Sequence, residues 1–399
     1  MKVLMVNKFL HPNGGSETYI FKLGDMLKQQ GHQVQYFGME HDNRIVGNDI
    51  GCYTCNMDFH TGKLKKLIYP FKIIYSHEAR KKILKVLKNF EPDVVHINNF
   101  NFQLTPSIIY GIREFSKKTG KKIRIIYTAH DLQLVCPNHL MRIPSNGQLC
   151  NQCINNGYRS CIKNKCIHDS KIKSILGAFE GWLYKKTGVY RYIDCIICPS
   201  EFLANQLQTY KAIADRIVVM HNFVKSSSEF KKKENYVLYF GRYSEEKGMD
   251  TLIEICKELK DIPFVFAGSG PYKEQISELN NVKDIGFLNE NSMRETIMRA
   301  RFVVVPSKCY ENCPFSVMEA IAAGTPVIGS DIGGIPELID NGRTGLLCEM
   351  ANVADFKSKI LLLWNDLELN NKFIANCQEA RFDSLEEYCE KLLRIYKSI

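Results

Sequence analysis

Two stretches carry residue types and spacing suited to chemistry. The octapeptide Gly241-Arg242-Tyr243-Ser244-Glu245-Glu246-Lys247-Gly248 ends an apolar, strand-like run, Tyr236 to Gly241. Arg242 is expected to leave the strand and Lys247 to open the next helix, so two cations can converge above the carboxyl edge of a sheet. A diphosphate held there would also gain from helix N-terminal N–H groups. The second stretch contains Pro306-Ser307, then Glu311-Asn312-Cys313-Pro314-Phe315-Ser316-Val317-Met318-Glu319-Ala320, and ends on Gly324-Thr325-Pro326. Asn312 or Cys313 is expected to cap a helix whose first position is Pro314, exposing early N–H groups to an anion. Glu319 then lies one to two turns inside a helix that is otherwise apolar and small. A carboxylate there needs a partner, and a ribose diol offers two hydroxyl donors. Alone, the octapeptide also fits a surface turn and Glu319 a solvated helix face; the Glu-x7-Glu spacing beside a proline-started helix points to a site.

Five of the fifteen cysteines fall between residues 136 and 166: Cys136, Cys150, Cys153, Cys161 and Cys166, with His139 and His168 nearby. Cys150-x-x-Cys153 has metal-ligand spacing, and Cys161 with Cys166 can complete a tetrahedral thiolate site. The intervening residues are mostly loop-formers, so a structural Zn2+ held by four of the five is expected to tether a loop over about 132–170. The alternative is a loop of buried or free thiols. Cys52-x-x-Cys55 and Cys195-x-x-Cys198 are weaker pairs, the latter lying in a strand.

The elements that must position these residues alternate. Lys2 to Val6, Gln33 to Gly38, Asp93 to Ile97, Ile123 to Thr128 and Ile193 to Cys198 read as strands, each followed by a helix or loop; Gly14 and Gly15 precede a helix from Ser16 to about Gln30. The pattern restarts after a polar, Lys-rich linker, Ser226 to Asn235. Tyr236 to Gly241, Phe264 to Ala267, Val282 to Ile285, Phe302 to Pro306 and Val327 to Gly329 form a second series, and helices over Val353 to Trp364, Leu367 to Ala380 and Ser384 to Tyr396 close the chain. Two doubly wound α/β domains with parallel sheets follow, with ligands at the carboxyl ends of their strands. No Gly-x-Gly-x-x-Gly fingerprint is present, which disfavours nicotinamide chemistry.

Composition narrows the partners. The 399 residues suit two domains, with a net charge of +10. Residues 1–190 hold 28 Lys and Arg against 13 Asp and Glu, a net of +15, and residues 191–399 hold 25 against 30, a net of −5. No segment reaches the roughly 18 apolar residues of a membrane span, and the N-terminus reads as a first strand rather than an export signal. A cytoplasmic protein with reduced thiols is expected. Basic and apolar residues interleave over Lys63 to Lys88 and again over Lys171 to Tyr192, a pattern suited to helices lying on an anionic bilayer, or to solvated Lys-rich faces. No nucleic-acid module is recognisable and the second half is acidic, which argues against nucleic acid.

The motifs together resemble the retaining glycosyltransferases of family 4, enzymes of the two-domain GT-B type. The likeness runs through Gly14-Gly15, Thr128-Ala129-His130-Asp131, Gly241 to Gly248, Gly268-Ser269-Gly270-Pro271, Glu311 to Glu319, Gly324-Thr325-Pro326-Val327 and Gly333-Gly334-Ile335-Pro336-Glu337. It implies two Rossmann-like domains facing across a cleft: an acceptor-side domain over 1–222 completed by a C-terminal helix over about 384–399, and a nucleotide-sugar domain over 223–383. It further implies that Arg242 and Lys247 hold the donor diphosphate, Glu319 the ribose and Glu311 the transferred sugar's hydroxyls. Gly14, Gly15, Gly268 and the backbone of Phe315, Ser316, Val317 and Met318 would line the donor, and His130 would face the anomeric region. The chain has no Asp-x-Asp motif, so the two cations are expected to replace a catalytic metal. Retention by front-face attack, a UDP donor and a lipid-linked glycan acceptor met at the inner face of the plasma membrane complete the expectation. Alternatives are a sugar-nucleotide epimerase or phosphorylase of similar architecture, or a nonenzymatic membrane-surface binder; no lysine stands out as a pyridoxal phosphate anchor.

Overall fold

The computed structural model describes residues 1–56, 69–226 and 229–398. The chain forms two compact units, Met1–His221 with Leu385–Ile399, and Asn222–Ser384. The first unit holds β1 (Lys2–Val6), β2 (Gln33–Phe37), β3 (Val94–Ile97), β4 (Arg124–Thr128), β5 (Cys195–Cys198) and β6 (Ile217–Val219), ordered β2-β1-β3-β4-β5-β6. Every pairing is parallel. β3 and β5 read VVHI and CIIC and are buried at every position, because helices cover both faces of a parallel sheet and no in–out alternation is needed.

The last helix, Leu385–Ser398, belongs to this first unit. Its Tyr388 hydroxyl lies 2.9 Å from that of Tyr19, and its Tyr396 hydroxyl lies 2.6 Å from His96 Nδ1. His96 Nε2 in turn lies 2.7 Å from Thr128 Oγ1 at the end of β4. All these groups are buried, so each polar atom needs the partner it has. The helix thereby fixes the strand end from which Ala129 and His130 emerge.

The second unit holds β7 (Val237–Arg242), β8 (Phe264–Ser269), β9 (Val282–Asp284), β10 (Phe302–Val305), β11 (Val327–Ser330) and β12 (Gly345–Cys348), in the order β12-β11-β10-β7-β8-β9. It too is wholly parallel. Strand order reverses between β7 and β10, and in open α/β sheets a crevice forms at the carboxyl ends of such a pair. The loops after β7 and β10 contain Lys247 and Glu311.

Ten of the twelve strands among the described residues were expected from the sequence. β6 and β12 were not: both are edge strands of three or four residues, β6 alternates between half-buried and exposed, and β12 opens on a glycine. The basic stretch up to Lys88 needs a correction. The His77–Phe90 helix turns Ala79, Ile83, Val86, Leu87 and Phe90 into the core, packing along the Ser107–Thr119 helix, so its apolar side is not free for a bilayer. Lys63, Lys65 and Lys66 lie outside the described residues. Among the described residues no helix is long and apolar enough to cross a membrane.

Candidate active site and family

In the second unit, β7 ends at Arg242 and the chain enters a short 3-10 turn, Glu245–Lys247, before the Met249–Glu258 helix. Lys247 thus precedes the helix rather than opening it. Gly248 makes the turn possible: its φ is +76°, and a Cβ there would stand 1.8 Å from the Pro306 carbonyl oxygen. The β7 loop therefore presses directly on the end of β10. Lys308 N–H donates to the Glu246 carbonyl at 2.9 Å, and Lys308 Nζ meets Asp250 at 2.6 Å, so the two loops are joined twice more.

Beside the Lys308–Asp250 contact, a second ion pair spans the strand-order reversal. Lys247 Nζ donates to Glu311 Oε1 at 2.5 Å, and Ser307 Oγ donates to the same oxygen at 2.8 Å. Burial alone would lift the Glu311 carboxyl, but the Lys247 ammonium, the Ser307 hydroxyl and Arg242 together hold it below the usual carboxylate value. Burial would likewise lower Lys247, and Glu311 reverses that, raising it. The backbone of Glu311 is fixed from the other side. Gly334 N–H donates to its carbonyl at 2.7 Å, and Gly333, at φ +62°, would place a Cβ 2.4 Å from that oxygen. Arg242 is more open, 65% exposed at its side chain with Nη1 3.7 Å from Glu246.

The helix expected after Glu311 runs from Phe315 to Ala322, and its start differs from the reading above. Pro314 has ψ +122° and is itself the cap, not the first helical residue. Neither Asn312 nor Cys313 caps the helix: the buried Cys313 takes the Asn222 backbone N–H at its sulfur (3.4 Å) and the Asn222 side chain at its carbonyl (3.0 Å). No side chain closes the first turn. Val317 and Met318 N–H point back to the Pro314 carbonyl, which leaves Phe315 and Ser316 at the leading edge. Glu319 is half-buried in the second turn. Gly268 is the last residue but one of the neighbouring β8, so near the Gly241 carbonyl that a Cβ would stand 1.9 Å from its oxygen.

In the first unit, His130 follows β4. Its Nε2 lies 2.9 Å from Asn98 Oδ1, just beyond β3, and its ring meets Tyr19 edge-on at 5.1 Å between centroids. Burial lowers His130 to about 4 against the opposing pull of Asp131, so the ring is neutral at neutral pH and donates from Nε2. Asp131 pairs with His139 at 3.3 Å. Gly14 caps the Gly15–Gln29 helix in an extended conformation that any residue adopts, and a Cβ there would meet nothing closer than 3.6 Å. The fold itself does not demand glycine at 14. Ser307, Asn98 and Lys308 were missed as site residues; the Pro306-Ser307 pair was a visible signal for the first, and nothing local in sequence marks the other two.

The expected long loop carries two short helices, Gln152–Asn156 and Arg159–Lys163. All five cysteines of this region line one cavity of about 10 Å³. Cys136, Cys153, Cys161 and Cys166 are buried and Cys150 is half-buried, and none forms a disulfide. The Cys161 thiol donates to the Ser174 carbonyl at 3.9 Å; its neighbour Cys166 and burial raise it, Cys161 in turn lowers Cys166, and burial pushes Cys136 up to about 12. His139 and His168 are not among the lining residues. Among the described residues no three His, Cys, Asp or Glu side chains already stand where they could hold a metal ion.

Comparison with known proteins gives this geometry a family. The Glycosyltransferase Family 4 description matches residues 13–227, and Glycosyl transferases group 1 matches residues 221–380. An uncharacterized glycosyltransferase of Methanocaldococcus jannaschii is 33% identical over 214 residues, covering 52% of this chain and 60% of that protein. An uncharacterized 42.6 kDa protein in the cps region of Klebsiella pneumoniae is 23% identical over 359 residues, 85% of this chain and 87% of its own length. Among solved structures, Anabaena Alr3699/HepE in complex with UDP and glucose superimposes with a TM-score of 0.66 at 17% identity, covering 100% of both chains. With two wholly parallel six-stranded α/β units and matches to both halves, the chain belongs to glycosyltransferase family 4 and is a glycosyltransferase of the GT-B class.

Proposed function

We propose that this chain moves a sugar, with retention of configuration and without a catalytic metal, from a nucleotide-sugar donor to a lipid-linked glycan acceptor in polysaccharide synthesis. The observation that carries the reading is the Lys247–Glu311 pair at the strand-order reversal of the second unit, fixed by Ser307 and by the Gly333-Gly334 turn. A carboxylate kept ionised beside a fixed ammonium is suited to accept hydrogen bonds from sugar hydroxyls. The ammonium retains N–H donors for a phosphate. Arg242, exposed at the same edge, supplies the second cation, and the uncapped Phe315–Ala322 helix supplies N–H groups. Glu319, further along that helix, would take the ribose.

In the proposed step the bond from the anomeric carbon to the donor's phosphate oxygen breaks as the acceptor hydroxyl attacks from the same face. The hydroxyl proton passes to the departing phosphate oxygen. Arg242 and Lys247 stabilise the charge that grows on the diphosphate, the work an oxyanion clamp performs. The neutral His130 ring would bind the transferred sugar by hydrogen bonding and not as a cation. Gly14 and Gly15 would let backbone approach the donor closely, which accounts for a glycine at 14 that the fold does not require. UDP is favoured because the structural relative described above binds it, and the cps-region relative supports a polysaccharide setting. For the five-thiol cavity we propose a structural Zn2+ on four cysteines, drawn inward from their present arrangement on binding.

The test is turnover of UDP-, GDP- and ADP-sugars in EDTA with a lipid-linked acceptor series, reading released nucleotide and the anomeric configuration of the product. Transfer with retention supports the reading. Inversion, or activity that requires a divalent cation, refutes it.

A further inference from the structure

The second basic stretch behaves differently from the first. The Lys171–Thr187 helix buries Ser174, Gly177, Ala178 and Tyr184. Apart from Tyr184 this inner side is made of small residues and lies tightly on the cysteine-rich region: a Cβ on Gly177 would stand 2.2 Å from Ile167, and one on Gly181 would stand 3.1 Å from the Tyr158 ring. Packing demands are met there. Yet Ile172, Ile175, Phe179 and Trp182, three and four residues apart, share the opposite face. They are 73%, 44%, 44% and 48% exposed. The Phe179 and Trp182 rings stack at 5.8 Å, and Lys186, four residues beyond Trp182, holds its ammonium 5.0 Å from the indole. A surplus apolar row on a well-packed helix calls for an occupant.

Charge selects the occupant. Residues 132–192 contain nine Lys and Arg and two acids, a net of +7. Lys171, Lys173, Lys185 and Lys186 are exposed at the two ends of the row, and none forms an ion pair among the described residues. Of the two acids, Asp169 precedes the helix, and Glu180 lies about a third of a turn from the centre of the apolar row, with burial raising it to about 8. A face with apolar and aromatic side chains in the middle, lysines at both ends and no anion among them matches a bilayer with anionic headgroups.

We propose that the Lys171–Thr187 helix lies on an anionic lipid surface, with Ile172, Ile175, Phe179 and Trp182 at the acyl boundary and the four lysines among the headgroups. The inference deepens the proposed function, since a lipid-linked acceptor resides at such a surface, and rests on that reading only for its biological purpose. The experiment is co-sedimentation of the full chain with phosphatidylcholine vesicles, with and without about a quarter phosphatidylglycerol. The wild type should bind the anionic vesicles and release them in high salt. Because each lysine near the surface contributes about 1 kcal/mol, close to fivefold in partition, replacing all four by Gln should weaken binding at least tenfold. Phe179→Ser with Trp182→Ser should do the same in low salt. All variants should stay folded and keep the wild-type response to nucleotide, because none of the altered side chains belongs to the proposed donor site. Absence of vesicle binding in the wild type with the nucleotide response intact overturns this proposal and leaves the transferase reading standing. Binding indifferent to lipid charge overturns it too. So does a concentration-dependent dimer that the double serine variant abolishes, since a second copy would then cover the face.

Discussion

Replacing Glu311 by Gln keeps the shape of the side chain and removes its charge, leaving the Lys247 ammonium with an amide in place of its carboxylate. The side chains are 31% exposed at Lys247 and 13% at Glu311, between an open surface pair, worth at most about 1 kcal/mol, and a fully buried one, whose half-removal costs about 3–5 kcal/mol. An intermediate loss of about 2–3 kcal/mol is therefore expected for Glu311→Gln, and a similar one for Lys247→Met. In a unit of this size that is a fall in melting temperature of about 5–10 °C. If the two side chains act on each other, the double variant loses less than the sum, with a coupling of about 1–2 kcal/mol. Urea unfolding of the four proteins at pH 7, followed by a probe in the second unit, reads the cycle. Strict additivity would refute the claim that the pair organises the site. The pH dependence has a definite sign. Glu311 is depressed in the folded chain, so its contribution is present above the ordinary carboxylate value and is lost as pH falls through the lower folded one. Lys247 is raised, so its contribution persists from neutral pH up to the ordinary lysine value and fades only above it.

Three further outcomes are expected. His130→Ala should leave nucleotide binding unchanged and slow transfer. In the wild type, no rate-limiting ionisation near 6.5 should trace to His130, because the folded ring titrates at about 4; stability from this group is complete above 6.5 and declines as pH drops toward 4. Tyr396→Phe should strand His96 Nδ1 in the core of the first unit and cost about 1–3 kcal/mol in urea unfolding, and a loss under about 0.3 kcal/mol would contradict the role given to the C-terminal helix. Protein purified without a His tag should carry close to one zinc per chain, lost when Cys153 and Cys161 are both changed to Ser; less than about 0.3 zinc per chain would end the tetrathiolate proposal.

The elements that fill the interior were readable because their chemistry is local. β1 is a run of apolar residues ending before a polar loop, and its bounds match the expectation to the residue. β12 and β6 escaped because an edge strand needs its partner more than its own sequence to form. Lys247 and Glu311 were each legible as chemical groups, but their 2.5 Å contact was not, since it depends on Gly248 fitting against Pro306 across the sheet. Cys313 shows the same limit: a capping residue by local rules, it is committed to Asn222 instead, and Pro314 takes the cap. The apolar residues of the two basic stretches looked alike in sequence. Only packing told them apart, burying Ile83 and Leu87 while leaving Phe179 and Trp182 about half exposed.

The central claim is that fixed cations in the second unit hold a nucleotide diphosphate without a metal. Thermal melting of the chain in EDTA with millimolar UDP, GDP and ADP tests it most directly, because a ligand at about 100 times its dissociation constant adds roughly 2.7 kcal/mol to the folded state. At least one nucleotide, UDP first, should raise the melting temperature, and Lys247→Ala and Glu319→Ala should each abolish the rise. No shift with any of the three, or a shift that appears only when a divalent cation is restored, would contradict the account.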